Sequence, residues 1–281
     1  MDTVTIGVLH PGDMGSAVGR QLALRGHEVL YASSGRSAET RARAEWAGMT
    51  DAATPAALAR DCAFVLSICP PHAAKEVAGE FAGYRGTYVD ANAVSPTTAR
   101  EVGSLIEAGG GRMVDGGIIG GPPERVGTTR LYVSGAHADS VVDLFEGTVL
   151  GVRSVGDDVG LASALKMCYA AWTKGTSALL LAIRAVATRE GVDAGLVAEW
   201  EQSQSALVNR SAGAARAAHD KGWRWRGEME EIAATFAAAG LPEGFHQAAA
   251  DVFARSPRPT GAAPDDVLAA VVDTLLLPPA D

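Results

Sequence analysis

The feature that most constrains the fold is an apolar run, a glycine turn and a helical pattern within residues 3–30. The run Val4–Leu9 stops before Gly12, and Gly12, Gly15 and Gly19 then recur at helical spacing. Glycine at such positions lets a helix start pack closely on the preceding strand and lets a ligand approach the backbone. The N–H groups and dipole of a helix start attract anions. The stretch therefore predicts a pyrophosphate-binding turn, formed by Pro11, Gly12, Asp13, Met14 and Gly15.

This turn lacks one glycine of the dinucleotide fingerprint G-x-G-x-x-G. The first glycine would fall at residue 10, where the chain has His10 followed by Pro11. A G-x-x-G turn also occurs between strands and helices that bind no ligand. A second strand pattern at Glu28–Ala32 and a continuing alternation of strand and helix patterns favour dinucleotide binding.

The loop after the second strand pattern indicates which dinucleotide binds. NAD-specific folds usually place Asp or Glu here to bind the ribose 2′-OH, and this loop has no acid. It carries hydroxyl groups and one guanidinium, which suit a 2′-phosphate, at Ser33, Ser34, Arg36 and Ser37. NADP(H) is therefore favoured over NAD(H); the alternative is a solvated serine-rich loop.

Short strand patterns alternate with helical patterns through the first half of the chain. They cover Val4–Leu9, Glu28–Ala32, Ala63–Ile68, Thr87–Asp90, Arg112–Asp115, Arg130–Ser134 and Val152–Ser154. This rhythm predicts an α/β fold, a doubly wound parallel sheet of Rossmann type, over residues 1–156. Ligands of such sheets bind beyond the carboxyl ends of the strands, where Cys69, Pro70 and Asn92 would line the nicotinamide half of the cofactor. The alternative is a pair of ordinary proline-terminated connections.

The second half of the chain has only helical patterns, which predicts an all-α domain over residues 157–281. The pattern Gly160–Ala187 is apolar on nearly every face and predicts a helix that is buried all round. Further helices are predicted at Leu196–His219, Gly227–Ala239, Phe245–Ala254 and Asp265–Leu276, with stops at residues 240–242 and 256–259. A domain this small and apolar does not easily cover its own surface, so we expect a homodimer through these helices.

Composition excludes several classes of protein. The net charge of −9 disfavours binding to nucleic acid or an anionic membrane. Cys62, Cys69 and Cys168 are odd in number and lack metal-ligand spacing, so neither disulfides nor a metal site is expected. No apolar stretch is long enough to span a membrane. We expect a soluble cytoplasmic protein whose partner is a small-molecule substrate.

Two residues are candidates for chemistry. Lys166 lies on the apolar helix pattern between Leu165 and Met167. Apolar surroundings disfavour an ammonium ion and fit a lysine for proton transfer, unless its stem is covered and its amine reaches water. Asp115 ends a strand pattern before a glycine-rich stretch that contains Gly120 and Gly121, and either contacts the substrate or caps the loop.

The order of these motifs resembles the β-hydroxyacid dehydrogenases, the superfamily of 3-hydroxyisobutyrate and 6-phosphogluconate dehydrogenases. The resemblance covers the whole chain and rests on the turn with Met14, Asp90–Pro96, Asp115–Gly121 and the helix Gly160–Lys166. Residues 163–181, 223–225 and 227–231 are similar to a bacterial subgroup whose C-terminal domain has no assigned substrate.

The resemblance implies a Rossmann domain that binds NAD(P), a helical domain that dimerises, and a lysine that acts as general acid or base in hydride transfer. Lys166 matches that lysine, and Asn92, Asp115, Gly120, Gly121 and Tyr169 become substrate-binding candidates. We therefore expect an NADPH-dependent oxidoreductase acting on a carbonyl or alcohol carbon. The alternatives are an imine reductase and a catalytically silent NADPH-binding protein.

The chain departs from the family pattern at three places. Ala170 replaces the usual Asn four residues after the lysine, Ile119 replaces a Ser before Gly-Gly, and Glu230-Glu231 replaces a Lys-Asp pair. Each change removes a group that would hold a carboxylate or orient a hydroxyl, so we expect a neutral, cationic or apolar substrate. Aromatic candidates for its binding are Tyr169, Trp172, Trp200, Trp223, Trp225 and His246.

Overall fold

The structure, a computed structural model, describes residues 3–256 and 263–277. It divides into a first unit that ends at Met167 and a second unit that begins at Cys168. The division lies later than the predicted boundary at residue 156 because the next helix begins on the first unit. The predicted stop at 256–259 lies largely outside the described residues.

One sheet organises the first unit. Its strands in the described part are β1 Thr5–Val8, β2 Glu28–Tyr31, β3 Thr50–Asp51, β4 Phe64–Ser67, β5 Thr87–Asp90, β6 Arg112–Ile119, β7 Arg130–Ser134 and β8 Gly151–Ser154. They are ordered β3-β2-β1-β4-β5-β6-β7-β8. The strand order reverses between β1 and β4, which is where ligands bind in doubly wound sheets.

Helices cover both faces of this sheet. They are α1 Asp13–Leu24, α2 Ala38–Trp46, α3 Pro55–Asp61, α4 Ala74–Gly79, α5 Pro96–Ala108 and α6 Ala138–Leu144. Side chains of one strand alternate between two apolar clusters: Val29 and Tyr31 join the cluster of α1 and α6, and Leu30 joins that of α3, α4 and α5. The predicted Rossmann-type architecture is confirmed.

The sheet differs from the prediction in three respects. The strand β6 is longer than predicted and continues through Gly116 and Gly117 to Ile119. The strand β7 pairs antiparallel with β6, because the short connection between them contains no helix that could carry the chain back for a parallel pairing. The two-residue strand β3 was missed because it is too short to show a periodic pattern.

The second unit is helical in its described residues, as predicted. Helix α7, Leu161–Arg189, begins in the first unit and continues into the second, which adds α8 Asp193–Ser203, α9 Ala206–Ala238, α10 Gly244–Ala254 and α11 Val267–Leu276. The predicted helix Leu196–His219 is wrong: the backbone leaves helical geometry at Gln204, and α9 then continues through Gly222 and Gly227. A side chain at Gly222 would lie 2.7 Å from Oγ of Ser256, so this glycine serves close packing rather than a helix end.

Helix α7 is not buried all round in the single chain, contrary to the prediction. Trp172, Leu179 and Val186 recur every seven residues and are exposed. Their spacing places them along one face of the helix, where they form an apolar stripe. Part of the apolar pattern of α7 therefore lies on the surface of the single chain rather than in its core.

Candidate cofactor and active site

The turn between β1 and α1 has the geometry of an anion-binding site. Gly12 is the N-cap of α1, and no side chain caps this helix. A Cβ atom at Gly12 would meet nothing within 4 Å, so the backbone is open to an approaching ligand. A Cβ atom at Gly15 would lie 2.1 Å from the carbonyl oxygen of His10, and one at Gly19 would lie 2.0 Å from Cε of Met49. Gly12 thus leaves space beside the helix start, whereas Gly15 and Gly19 allow tight packing, and binding of a pyrophosphate here stays a prediction.

The carboxyl ends of neighbouring strands bring several predicted residues to one level. Val8 pairs with Tyr31 of β2 and Leu66 of β4, so these three strands end at one level, where the loops that carry Pro11, Ser34 and Cys69 begin. Asp90 pairs with Ser67 of β4 and Asp115 of β6, which places Asn92 and Gly117 in the same row. The loops that carry the predicted residues thus begin at the same end of the sheet, and a cofactor crevice there stays a prediction.

The loop after β2 is held by an acid that sequence reasoning missed. Oδ1 of Asp51 on β3 accepts hydrogen bonds from the backbone N–H of Ser33 at 3.2 Å and of Ala53 at 2.7 Å. Burial acts to raise the pKa of Asp51, but the hydrogen bonds from Ser33 and Ala53 outweigh it and lower the pKa below its usual value. Only the pairing of β2 with β3 brings Asp51 here, so no local signal could have found it.

The predicted phosphate ligands of this loop differ in their engagement. Oγ of Ser37 accepts a hydrogen bond from the N–H of Thr40 at 3.2 Å and caps α2, so Ser37 is primarily a helix cap. Ser34 is exposed, and Ser33 and Arg36 are partly buried. The carbonyl of Arg36 accepts a hydrogen bond from Nη1 of Arg41 at 2.8 Å, which fixes its backbone.

Asn92 has a different position from the one predicted. It is 2% exposed, its Oδ1 accepts from the N–H of Cys69 at 2.6 Å, and its Nδ2 donates to Oγ of Ser67 at 3.1 Å. The expectation that its side chain contacts substrate or cofactor is corrected, because both ends of the amide hold the loop after β4. Burial raises the pKa of the Cys69 thiol to about 12, so this cysteine is neutral and not a nucleophile.

Asp115 lies inside β6 rather than at a strand end, and it is 1% exposed. Its Oδ2 accepts hydrogen bonds from Oγ of Ser134 at 3.1 Å and from the N–H groups of Gly160 and Ser163, both at 2.9 Å. Its Oδ1 accepts from Oγ of Ser163 at 2.6 Å. The predicted substrate contact is corrected, because this carboxylate joins the sheet to the first turn of α7.

Lys166 lies on the same first turns of α7, in the first unit. A Cβ atom at Gly117 would lie 2.8 Å from Cβ of Lys166 and 2.9 Å from the carbonyl oxygen of Ala162, so only glycine lets α7 approach β6 this closely. Lys166 is partly buried, not enclosed. The expected burial of Lys166 is therefore only partial, and its role in proton transfer stays a prediction.

Gly120 and Gly121 follow β6 and are exposed. Gly120 has φ of +117°, and a Cβ atom there would lie 2.4 Å from the carbonyl oxygen of Thr128. Nε2 of Gln21 on α1 donates to the carbonyl of Pro123 at 3.3 Å, which ties this loop to the helix of the glycine turn. Ile119, where the family has a serine, is 3% exposed and pairs with Arg130 in the sheet.

The aromatic candidates fall into two groups within the second unit. Trp200 and His246 are buried in its core, and Trp225 packs edge to face on Phe253 with 5.0 Å between ring centroids. Tyr169 and Trp172 on α7 are 46% and 62% exposed. Trp223 and Trp225 are partly exposed, so Tyr169 and Trp172 have the most surface available to a ligand in the single chain.

Membrane-spanning helices and clusters of metal ligands are both absent from the described residues. Within 3–256 and 263–277, no helix is long and apolar enough to cross a membrane. Across the same residues, no group of three or more His, Cys, Asp or Glu side chains could hold a metal ion.

Comparison with protein families supports this geometry. Residues 5–144 match the NAD binding domain of 6-phosphogluconate dehydrogenase, and residues 187–256 match a domain of unknown function, DUF1932. Through this NAD binding domain, the chain belongs to the 6-phosphogluconate dehydrogenase-like family. The predicted family is therefore confirmed. The first match covers β1 to β7 and the glycine turn, and it ends before β8 and Lys166.

Individual relatives of this group match to different extents. An uncharacterized 28.5 kDa protein of Methanothermus fervidus is 31% identical over 166 residues, which are 59% of this chain and 64% of that protein. The matched stretch thus spans less than two thirds of that relative. A protein of unknown function, described as structurally similar to 3-hydroxyacid dehydrogenases, is 27% identical with a TM-score of 0.67, covering 89% of this chain and 96% of its own. A reductive aminase from Aspergillus terreus, solved with NADPH, shares the fold at 22% identity and a TM-score of 0.56, covering 90% of this chain and 93% of its own.

Proposed function

We propose that this chain is an NADPH-dependent oxidoreductase that transfers hydride between the nicotinamide and a carbonyl or alcohol carbon of a small organic substrate. The observation that carries the proposal is the close approach of Lys166 to Gly117, near the carboxyl end of β6. The glycine turn lies at the same end of the sheet. Three strand spacings of about 4.8 Å separate β1 from β6, a span of about 14 Å that an extended dinucleotide can bridge.

The residues of the first unit fit such a cofactor. The open backbone at Gly12 and the uncapped start of α1 would hold the pyrophosphate, and the loop with Ser33, Ser34 and Arg36 would hold the adenosine ribose and its 2′-phosphate. When bound, the nicotinamide supplies or accepts the hydride. The backbone at Cys69 and Pro70, positioned by Asn92, would border the ring.

Lys166 is the proposed general acid or base. Its amine would donate a proton as negative charge develops on the substrate oxygen during reduction, or accept it during oxidation. The hydrogen bonds of Asp115 to Gly160 and Ser163 hold the helix start from which Lys166 projects, so its stem has a fixed origin. Tyr169, Gly120 and Gly121 are the exposed candidates for substrate contact.

The experiment compares Lys166→Met, which keeps the apolar stem, with the control Lys75→Met on α4. NADPH oxidation is measured against panels of ketones, aldehydes and cyclic imines, together with NADPH affinity. We expect Lys166→Met to lower kcat for the carbonyl substrate by about 10²–10⁴ and to leave NADPH affinity within about threefold. Unchanged carbonyl turnover in Lys166→Met would exclude the assignment.

Imine reduction is the second candidate. The buried Ala170 and Ile119 remove polar groups of the family pattern, and the fold is shared with a reductive aminase. Turnover of imines alone, unaffected by Lys166→Met, would establish it. NADPH binding without turnover of any compound would instead favour a silent cofactor-binding protein.

We also propose a homodimer through the helices of the second unit. The exposed stripe Trp172, Leu179 and Val186 on α7 supports it, as does an open apolar groove of about 410 Å³. The groove is lined by Ala182, Ile183, Val186, Ala187, Val192 and Leu196. Sedimentation of the wild type and of Val186→Glu tests this, and an unchanged mass would refute it. The three free cysteines fit a reducing, cytoplasmic compartment.

A further inference from the structure

Two buried polar atoms lack a hydrogen-bond partner where β1 and β2 end. They are Nδ1 of His10 and Nε of Arg36. Val8 pairs with Tyr31, so His10 lies level with Ser33, at the start of the turn that carries Arg36. The N–H of Arg36 donates to the carbonyl of Ser33 at 3.0 Å, and Gly35 has φ of +71°. The chain therefore makes a tight turn from Ser33 to Arg36 directly after β2.

A buried imidazole nitrogen and a buried guanidinium nitrogen without partners are costly unless a ligand satisfies them. The family fingerprint has glycine at residue 10, so His10 is a group that the fold itself does not require. In Rossmann folds the end of the second strand faces the adenosine ribose. The two side chains therefore offer donors where a ribose phosphate would lie.

We propose that His10 and Arg36 together bind the 2′-phosphate of NADPH, and that His10 takes up a proton when this phosphate binds. The inference rests on the proposed cofactor binding and adds to it a residue that sets cofactor preference. Arg36 would contribute a fixed charge, and His10 a charge that exists only with the phosphate present.

Burial and the charge of Arg36 lower the pKa of His10 to about 4, so without a ligand the imidazole is neutral at physiological pH. A dianionic phosphate between the two side chains would offset both effects and favour imidazolium. Other ionisable groups on the surrounding elements are already engaged or neutral: Asp13 pairs with Arg43 at 3.7 Å, Asp51 holds the loop, and the Cys69 thiol is neutral.

The size of the effect follows from proton linkage. If the phosphate restores the pKa of His10 to its ordinary value of about 6.5, NADPH affinity gains about fourfold at pH 6 and almost nothing at pH 8. His10 then takes up about 0.75 proton at pH 6, whereas the phosphate, with a second pKa of about 6, releases about 0.5. Binding at pH 6 therefore takes up a net fraction of a proton of about 0.25, and without His10 it would release about 0.5.

The experiment is titration calorimetry at pH 6 and pH 8 in two buffers of different ionisation enthalpy, which gives affinity and proton number together. The ligands are NADPH and NADH, and the proteins are wild type, His10→Gln and the control His27→Gln. His27 precedes β2 at the opposite end of the strands, and burial also lowers its pKa. We expect net uptake with NADPH in wild type and His27→Gln, net release in His10→Gln, and no His10-dependent difference with NADH.

Equal proton numbers and equal pH dependence in wild type and His10→Gln would overturn the inference while leaving the proposed cofactor binding intact. Failure of both NADPH and NADH to bind would instead refute the proposed function. If His10→Gln does not fold, the wild type still decides through adenosine 2′,5′-bisphosphate and 5′-AMP. Both ligands carry the same titrating 5′-phosphate, so the difference between their proton numbers at pH 6 isolates the 2′-phosphate. A proton number about 0.5 lower for the bisphosphate than for 5′-AMP would exclude protonation of His10, and one about 0.25 higher would support it.

Discussion

Substitution of Asp115 distinguishes a role in substrate binding from a structural role. Its carboxylate accepts four hydrogen bonds in a buried site, three at Oδ2 and one at Oδ1. In Asp115→Asn the remaining oxygen can serve the three donors, and Oγ of Ser163 can rotate to accept from the new NH₂ group. The bonds persist but lose the charge.

A hydrogen bond to a charged group contributes roughly 1 kcal/mol more than a neutral one, so three such losses predict that Asp115→Asn lowers the free energy of unfolding by about 3 kcal/mol. Asp115→Ala leaves the buried N–H groups of Gly160 and Ser163 without acceptors, at about 1–3 kcal/mol each, in addition to two hydroxyls. We therefore expect about 5 kcal/mol for alanine.

Scanning calorimetry measures these changes, with Asp143→Asn as the control, an exposed aspartate on α6. At about 2–4 °C per kcal/mol, Asp115→Asn should lower Tm by roughly 6–12 °C, and the control by less than about 2 °C. Because the carboxylate faces α7, the KM for the substrate should stay within about twofold in the asparagine variant at a temperature where it is folded. An unchanged Tm together with a raised KM would refute the structural role and restore the substrate contact.

Three further predictions concern the same fold. Gly12→Ala should leave Tm unchanged, because its Cβ meets nothing, but should weaken NADPH binding more than about tenfold. Gly15→Ala should lower the free energy of unfolding by about 1–3 kcal/mol, because its Cβ would meet the carbonyl of His10. Equal Tm values of the two variants in thermal melts would contradict this. Because the pKa of His10 is lower in the folded than in the unfolded chain, the unfolded chain binds more protons at acid pH. The neutral imidazole therefore contributes its full stability above about pH 6.5, and this contribution is lost as the pH falls toward 4. Between pH 8 and pH 5, the free energy of unfolding from urea titrations should fall by about 2 kcal/mol less in His10→Gln than in the wild type. Asp193→Ala should cost about 3–5 kcal/mol, because Arg184, 9% exposed, loses its two bonds at 2.6 and 2.7 Å; a shift below 1 kcal/mol in urea unfolding would show that the pair is dispensable.

Local sequence determined the parts of the molecule whose physics is local. The glycines of the β1–α1 turn, the apolar runs of the strands and the long apolar pattern of α7 each express a backbone or burial requirement within a few residues. They were enough to predict the Rossmann-type unit and the helical unit, whereas the family was predicted from a resemblance in the order of motifs. The site residues at the glycine turn and Lys166 follow from the same motifs, and their roles stay predictions.

The tertiary structure decided which polar groups are available for chemistry. Asp115 and Asn92 carry polar side chains next to strand ends in the sequence. Only the approach of β4 to Asn92, and of β7 and α7 to Asp115, shows that their hydrogen bonds are made within the protein. Asp51 and His10 are the converse case, since each acquires its role from residues on a neighbouring strand or loop. A hydrogen bond or an electric field depends on distances between segments far apart in the chain, whereas periodicity and turn chemistry depend on neighbours along it.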